Sequence, residues 1–282
     1  MDWVSEYINS NPRMPELLEK SKLPVYLHIP KCGGTFVRVA IYEMLRLYCG
    51  VGHGKVPRDW AATIEVGAGG DPDLVVNGVL REIPEDCRVE GTNYTMSRDR
   101  FLDFARKGEM DIFAVIATSE MWASKSREVL VALEEICGKK FCFFATFKDP
   151  FERALSMYYV QKQRGVVLNS FFLPANESSL EEFSAFLTSY DSEPNWASQF
   201  LDYLGTKNVR IGGLDRVVSF LSSFFSEIYH PVVGMAAEFS GGAVNVTQKE
   251  SVYRLEELSA ECVSAYLNLH ARDIDLWSRV EG

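Results

Sequence analysis

The spacing of apolar positions changes along the chain, and each change marks an element. Val25 to Ile29 is an unbroken apolar run closed by Pro30, the pattern of a buried strand. After the turn Lys31-Cys32-Gly33-Gly34-Thr35, residues Phe36, Val37, Ala40, Ile41, Met44, Leu45 and Tyr48 recur at helical spacing. That predicts a helix running to about Cys49. Residues 50–97 are rich in Gly, Pro and Asp and read as loops with one or two short strands. Ser97 is placed as the N-cap of a helix through Lys107, with Arg100 to Ala105 carrying its apolar face. Asp111 to Thr118 (DIFAVIAT) and Phe141 to Phe147 (FCFFATF) predict two further buried strands, with a helix from Ala123 to Cys137 between them. Lys148-Asp149-Pro150 then opens another helix, its proline in the first turn where the missing N–H costs nothing. From about Ser178 the pattern is mostly helical, ending in an amphipathic stretch from Leu255 to Arg279. Strand and helix alternate through the first half, which implies an α/β fold with a parallel sheet flanked by helices. No repeat or linker divides the chain, so residues 1–282 are expected to form a single domain, with 1–22 as an N-terminal extension.

Composition narrows the class. The chain has 282 residues, 47% of them hydrophobic, enough to build a core without metal or disulfide support. Disorder, collagen and a disulfide scaffold are excluded. With 29 Lys and Arg against 39 Asp and Glu, the net charge of −10 argues against a surface that binds nucleic acid. The six cysteines (Cys32, Cys49, Cys87, Cys137, Cys142 and Cys262) form no CxxC pair, and the chain has only four histidines. They read as buried thiols in a reducing compartment, and no metal is expected. No run approaches the roughly 18 apolar residues of a membrane span, and the early acids and prolines do not suit a signal peptide. A cytoplasmic protein is expected, or one in the Golgi lumen if an N-terminal anchor has been removed. The sequons at Asn93, Asn176 and Asn245 carry little weight without a secretory signal.

Charge is not evenly spread. Residues 22–60 carry a local +4 and residues 141–170 a local +2, whereas residues 171–200 hold five acids and no base. Both basic segments have the form strand, turn, helix. In the first, Gly33 and Gly34 let the backbone approach an anion, Lys31 adds a charge and Thr35 a hydroxyl. The lysine precedes the glycines, so the order is not that of an ATP-binding GxxxxGK[ST] loop. In the second, Lys148 ends the strand, with Arg153 and Ser156 on the following helix, making a second anion corner.

Taken together, the two segments resemble PAPS-dependent sulfotransferases. VYLHIPKCGGTFVRVAI is similar to their 5′-phosphosulfate loop, especially the HIPKTGGT form of carbohydrate enzymes such as the heparan sulfate 2-O- and 6-O-sulfotransferases. FATFKDPFERALSMYY resembles the 3′-phosphate site, RDPxxRxxS. IGGLDRVVSFL, NVTQKES and HARDIDLW resemble later parts of the family more weakly. The resemblance implies a P-loop-like sheet and residue roles. Lys31 would stabilise the leaving phosphate, and Cys32, Gly33, Gly34, Thr35 and Phe36 would surround the phosphosulfate. Lys148 and Ser156 would hold the 3′-phosphate, and Thr247 and Lys249 would complete a lid over the nucleotide. The implied co-substrate is PAPS, with PAP as product and no metal. The acceptor would be a hydroxyl of a saccharide or small metabolite.

Two departures stand out. Lys148 replaces the family's usual Arg and loses its bidentate fork. The Gly-His pair that supplies a candidate base in many carbohydrate enzymes is replaced by Ala117-Thr118-Ser119-Glu120. Glu120 is then the first candidate base, at the end of a strand where sites gather in open sheets, and His53 the second. His28 reads as a packed strand residue. A non-catalytic PAP- or nucleotide-binding module that has lost its base is the rival reading, and a nucleotide kinase the least favoured. The acceptor's charge is constrained too: an acidic protein suits a neutral saccharide or small metabolite better than a heavily sulfated glycan.

Overall fold

The computed structural model describes residues 22–38, 40–41, 60–66, 73–80, 88–90, 93–97, 99, 103, 111–118, 130–131, 134–135, 140–165, 178–204, 208–228 and 253–280. Its strands are β1 (Leu23–His28), β2 (Trp60–Val66), β3 (Asp73–Leu80), β4 (Arg88–Glu90), β5 (Asn93–Ser97), β6 (Asp111–Thr118), β7 (Phe141–Phe147) and β8 (Val209–Gly213). They form one sheet in the order β4-β5-β3-β2-β6-β1-β7-β8. Strands β2, β6, β1, β7 and β8 run parallel, and β3, β5 and β4 add an antiparallel flank. The α/β reading of the sequence therefore holds. The region read as loops with one or two short strands from 50 to 97 carries four, and Ser97 closes β5.

β1 lies at the centre, and its pleat sorts the core. Tyr26 pairs with Ile116 on one side and Phe144 on the other, and all three are buried. On that face lie α1 (helical residues 34–38 and 40–41) and α5 (Val217–Ile228). Phe144 meets Phe224 with ring centroids 4.3 Å apart and Phe225 edge-on at 5.6 Å. Each such buried side chain contributes about 1.5–3 kcal/mol relative to exposure. Val25, Leu27, Ala145 and Phe147 alternate onto the opposite face and are equally buried.

The remaining helices are α2 (Pro150–Arg164), α3 (Leu180–Leu187), α4 (Trp196–Leu204), α6 (Ala260–Leu269) and α7 (Ala271–Trp277). Asp149 starts α2 by accepting hydrogen bonds from the N–H groups of Phe151 (2.9 Å) and Glu152 (3.1 Å). Pro150 follows in the first turn, as expected, and Gly165 ends the helix in a left-handed conformation. Phe151, Leu155, Tyr158 and Tyr159 of α2 form a second core with Phe183, Phe186 and Leu187 of α3 and Tyr266 of α6. The expected long C-terminal helix is broken in two. Ser259 caps α6, and His270 both ends α6 and begins α7.

Candidate functional site

Parallel pairing brings the two basic turns to the same edge. β1 and β7 run side by side, with Leu27 opposite Ala145, so Pro30 and Lys148 leave adjacent strands at their carboxyl ends. Ligand crevices in open α/β sheets lie outside that edge.

Lys31 and Gly33 are both left-handed, with φ of 64° and 78°. A lysine in that conformation costs roughly 1–3 kcal/mol and persists only where its surroundings enforce it. Both flanking carbonyls are gripped. The Arg153 Nε–H donates to the Pro30 carbonyl at 3.2 Å, and the Thr146 hydroxyl donates to the Cys32 carbonyl at 2.7 Å. Thr146 spends its only proton on Cys32, so at 2.9 Å the Tyr26 hydroxyl is the donor to Thr146.

Cys32 points inward. Its N–H closes the turn on the Ile29 carbonyl at 3.3 Å, and its thiol is hydrogen-bonded by the Lys148 backbone N–H. Burial pushes that thiol up to about 11, against the pull of Arg153 and Lys148. Cys32 was expected among the residues surrounding the phosphosulfate. Its N–H is spent inside the turn. The side chain instead joins the Lys31–Thr35 loop to the start of α2.

Lys31, Gly33, Thr35 and Phe36 remain partly exposed. The first bond within α1 runs from the Val37 N–H to the Gly33 carbonyl at 3.1 Å, so the N–H groups of Gly34, Thr35 and Phe36 belong to the open end of the helix. The Phe36 side chain is partly buried against the core cluster that α1 and α5 share.

Two glycines sit where a side chain would be crowded. A Cβ on Gly33 would lie 2.2 Å from Leu214 Cδ1, and one on Gly34 would lie 1.8 Å from His28 Nε2. Gly34→Ala should therefore cost about 1–3 kcal/mol by overpacking. Equilibrium denaturation checks this through a double-mutant cycle with His28→Ala, which should recover part of the loss. Strict additivity would show that the ring is not the obstacle.

His28 was read as a packed strand residue, and its ring lies against Gly34. Burial first, then the nearby Arg38 and Lys31 charges, push it down to about 4. The imidazole is neutral near neutral pH, and the same field marks where positive charge converges around the loop.

The second corner is more compensated than its sequence suggests. Lys148 Nζ lies 3.6 Å from the Glu152 carboxylate, one turn along α2. Arg153 is 1% exposed and donates to the Pro30 carbonyl, the Glu193 carbonyl (3.2 Å) and the Glu193 carboxylate (3.0 Å). It is a structural clamp, which corrects the expectation that it presents charge to a ligand. Ser156 is buried two turns into α2. A cleft of about 460 Å³ beside the start of α2 is bordered by Asp149, Glu152, Arg254, Glu256 and Trp277. Glu120, His53, Thr247 and Lys249 lie outside the described residues.

Sequence reasoning did not single out Thr146 or Leu214. Thr146 had a signal, since a hydroxyl within FCFFATF must find a partner when the strand is buried. Among the described residues no group of His, Cys, Asp and Glu could hold a metal ion, and no helix is long and apolar enough to cross a membrane. The chain matches no protein-family model and no curated protein.

Proposed function

We propose that the chain is a PAPS-dependent sulfotransferase with a P-loop-like sheet, acting on a hydroxyl of a saccharide or small metabolite. The observation that carries this reading is the adjacency of β1 and β7, which sets the PKCGGT and KDPFERALS turns side by side at one sheet edge. In this reading the acceptor oxygen attacks sulfur as the bond to the 5′-phosphate oxygen breaks, and that oxygen keeps the electron pair. Lys31 stabilises the charge gathering there, with the N–H groups of Gly34, Thr35 and Phe36 around it. Lys148 and Ser156 meet the 3′-phosphate, and Thr247 with Lys249 closes over the nucleotide. Glu120 or, failing it, His53 takes the acceptor proton. A cytoplasmic location belongs to the same reading.

The charge pairs at the second corner bear on this. Lys148 must leave or share Glu152 to hold a phosphate, which lowers its contribution.

Calorimetric titration with PAP, ADP and Mg-ATP tests the reading. PAP should bind about tenfold, or about 1.4 kcal/mol, more tightly than ADP. Lys31→Ala and Lys148→Ala should each weaken PAP. Equal binding of ADP or Mg-ATP would overturn the 3′-phosphate site and the sulfotransferase reading with it.

One observation favours the second reading, a PAP-binding module without turnover. The Gly-His pair of the enzymes it resembles is replaced by Ala117-Thr118-Ser119-Glu120, and His28 against the loop, pushed down to about 4 by burial, Arg38 and Lys31, is a weak base. Tight PAP binding without sulfuryl transfer to any acceptor would decide for the module.

A further inference from the structure

A buried hydrogen-bond chain reaches the Lys31–Thr35 loop from within the sheet. The Tyr26 hydroxyl on β1 donates to Thr146 on β7 at 2.9 Å, and the Thr146 hydroxyl donates to the Cys32 carbonyl at 2.7 Å. All three residues are fully buried. Burial raises the Tyr26 phenol above its ordinary value, so it remains a donor at neutral pH. Just beyond Thr146, the Lys148 backbone N–H holds the Cys32 thiol, so the end of β7 grips Cys32 at two points.

We propose that Thr146 is a positioning residue for this loop. By holding the Cys32 carbonyl inward, it aims the Gly33 N–H outward at an oxygen of a bound sulfate or phosphate group. This role rests on the anion-site reading of the loop. It adds to that reading a fourth backbone donor and the residue that orients it.

Peptide geometry links the carbonyl to the N–H. The bond between Cys32 and Gly33 is trans, so its C=O and N–H point to opposite sides of the chain, and fixing one fixes the other. Gly33 does not make that choice itself. It sits at φ of 78°, yet glycine occupies either sign of φ about equally, so its own backbone does not oppose a flip of that peptide. The Thr146 bond does oppose it, and a β-branched side chain, stiff at χ1, is suited to be a fixed donor. Arg153 grips the Pro30 carbonyl two residues upstream and leaves this peptide to Thr146. On the outer side, Gly33 is partly exposed, and its N–H has no acceptor among the described residues. It precedes the N–H groups of Gly34, Thr35 and Phe36 at the open end of α1, and successive N–H groups in such a turn form an anion-binding concavity.

Calorimetric titration of PAP and of inorganic sulfate into the full chain, as wild type, Thr146→Val and Thr146→Ser, tests this role. Valine keeps the volume and the β-branch but removes the donor, whereas serine keeps the donor and loses a buried methyl. A merely structural hydroxyl would show in denaturation and leave the affinity of the folded variants alone. A positioning hydroxyl should show in binding: Thr146→Val should weaken PAP about tenfold, and Thr146→Ser should stay within about threefold of the wild type. In the wild type, PAP should also slow hydrogen exchange of the Gly33 amide, a readout that stands even if Thr146→Val does not fold. Wild-type affinity in Thr146→Val, equal weakening by both substitutions, or no added protection at Gly33 would each overturn the proposal. Wild-type binding of sulfate but not of PAP would remove the nucleotide reading alone, and the same order of variants would then be expected with sulfate. Binding of neither would show that the loop is no anion site and overturn both.

Discussion

Arg153→Ala should cost about 3–5 kcal/mol of stability, the largest loss expected from one substitution in this chain. The guanidinium is 1% exposed and makes three bonds to groups distant in sequence: the Pro30 carbonyl, the Glu193 carbonyl and the Glu193 carboxylate. Alanine leaves a cavity, two part-buried carbonyls without their donor, and a partly buried carboxylate without its counter-charge. Arg153→Lys restores the charge but not the planar fork, so it should recover only part of the loss. Glu193→Gln keeps both acceptors and removes only the charge. It should cost about 1 kcal/mol, because Glu193 retains solvent contact. Urea denaturation of the three variants gives the order directly. If Glu193→Gln were as damaging as Arg153→Ala, the clamp would be an ion pair rather than a hydrogen-bonded anchor. The clamp also holds the carbonyl before the left-handed Lys31. The lysine variant, if it folds, should therefore lose affinity for PAP although position 153 touches no ligand.

The parts of this architecture that local pattern could reveal are those stabilised locally. β6 and β7 have the bounds their apolar runs imply, and α2 begins at the Asp-Pro pair that caps it. Strands β2 to β5 were legible only as one or two short strands without position, because an antiparallel flank gains its stability from partners across turns, and the Gly- and Asp-rich composition masks it. β8 was missed for a related reason. It is five residues long and ends in two glycines, one of which has no room for a Cβ against Phe220. The candidate site divides the same way. Its two turns were visible as sequence, and the sheet brings them together. The roles of Cys32 and Arg153 were not visible, since each depends on contacts with distant residues. Cys32 meets Lys148 and Thr146, more than a hundred residues away, and Arg153 meets Glu193 in a left-handed turn. A charged residue in a motif was read as facing ligand, whereas long-range packing turned it inward.

Acidification should destabilise the chain before most of its carboxylates are neutralised, through two largely buried histidines. His270 is 1% exposed, with Nε2 3.0 Å from the Ser192 hydroxyl. Ser192 donates its proton to the Ser189 carbonyl at 2.7 Å, so it accepts from the neutral Nε2–H of His270. Burial pushes His270 down to about 4, with Arg153 assisting and Asp273 opposing. His28 is pushed to about 4 by burial, Arg38 and Lys31. Both folded values lie below the unfolded value of about 6.5. Between those limits the unfolded chain binds more protons, so stability is complete above about pH 6.5 and falls as pH drops toward 4. From pH 7 to 4.5 the loss should be about 2 kcal/mol for each histidine, and somewhat less for His28, which keeps some solvent contact. His270→Gln can still donate an N–H to Ser192 and cannot titrate. Its unfolding free energy should therefore fall less steeply with pH than that of the wild type, whatever its stability at pH 7. A double variant with His28→Gln should be flatter still. Unchanged slopes in both would assign the acid lability to carboxylates, and the two imidazoles would then be tolerated as cations in the folded state.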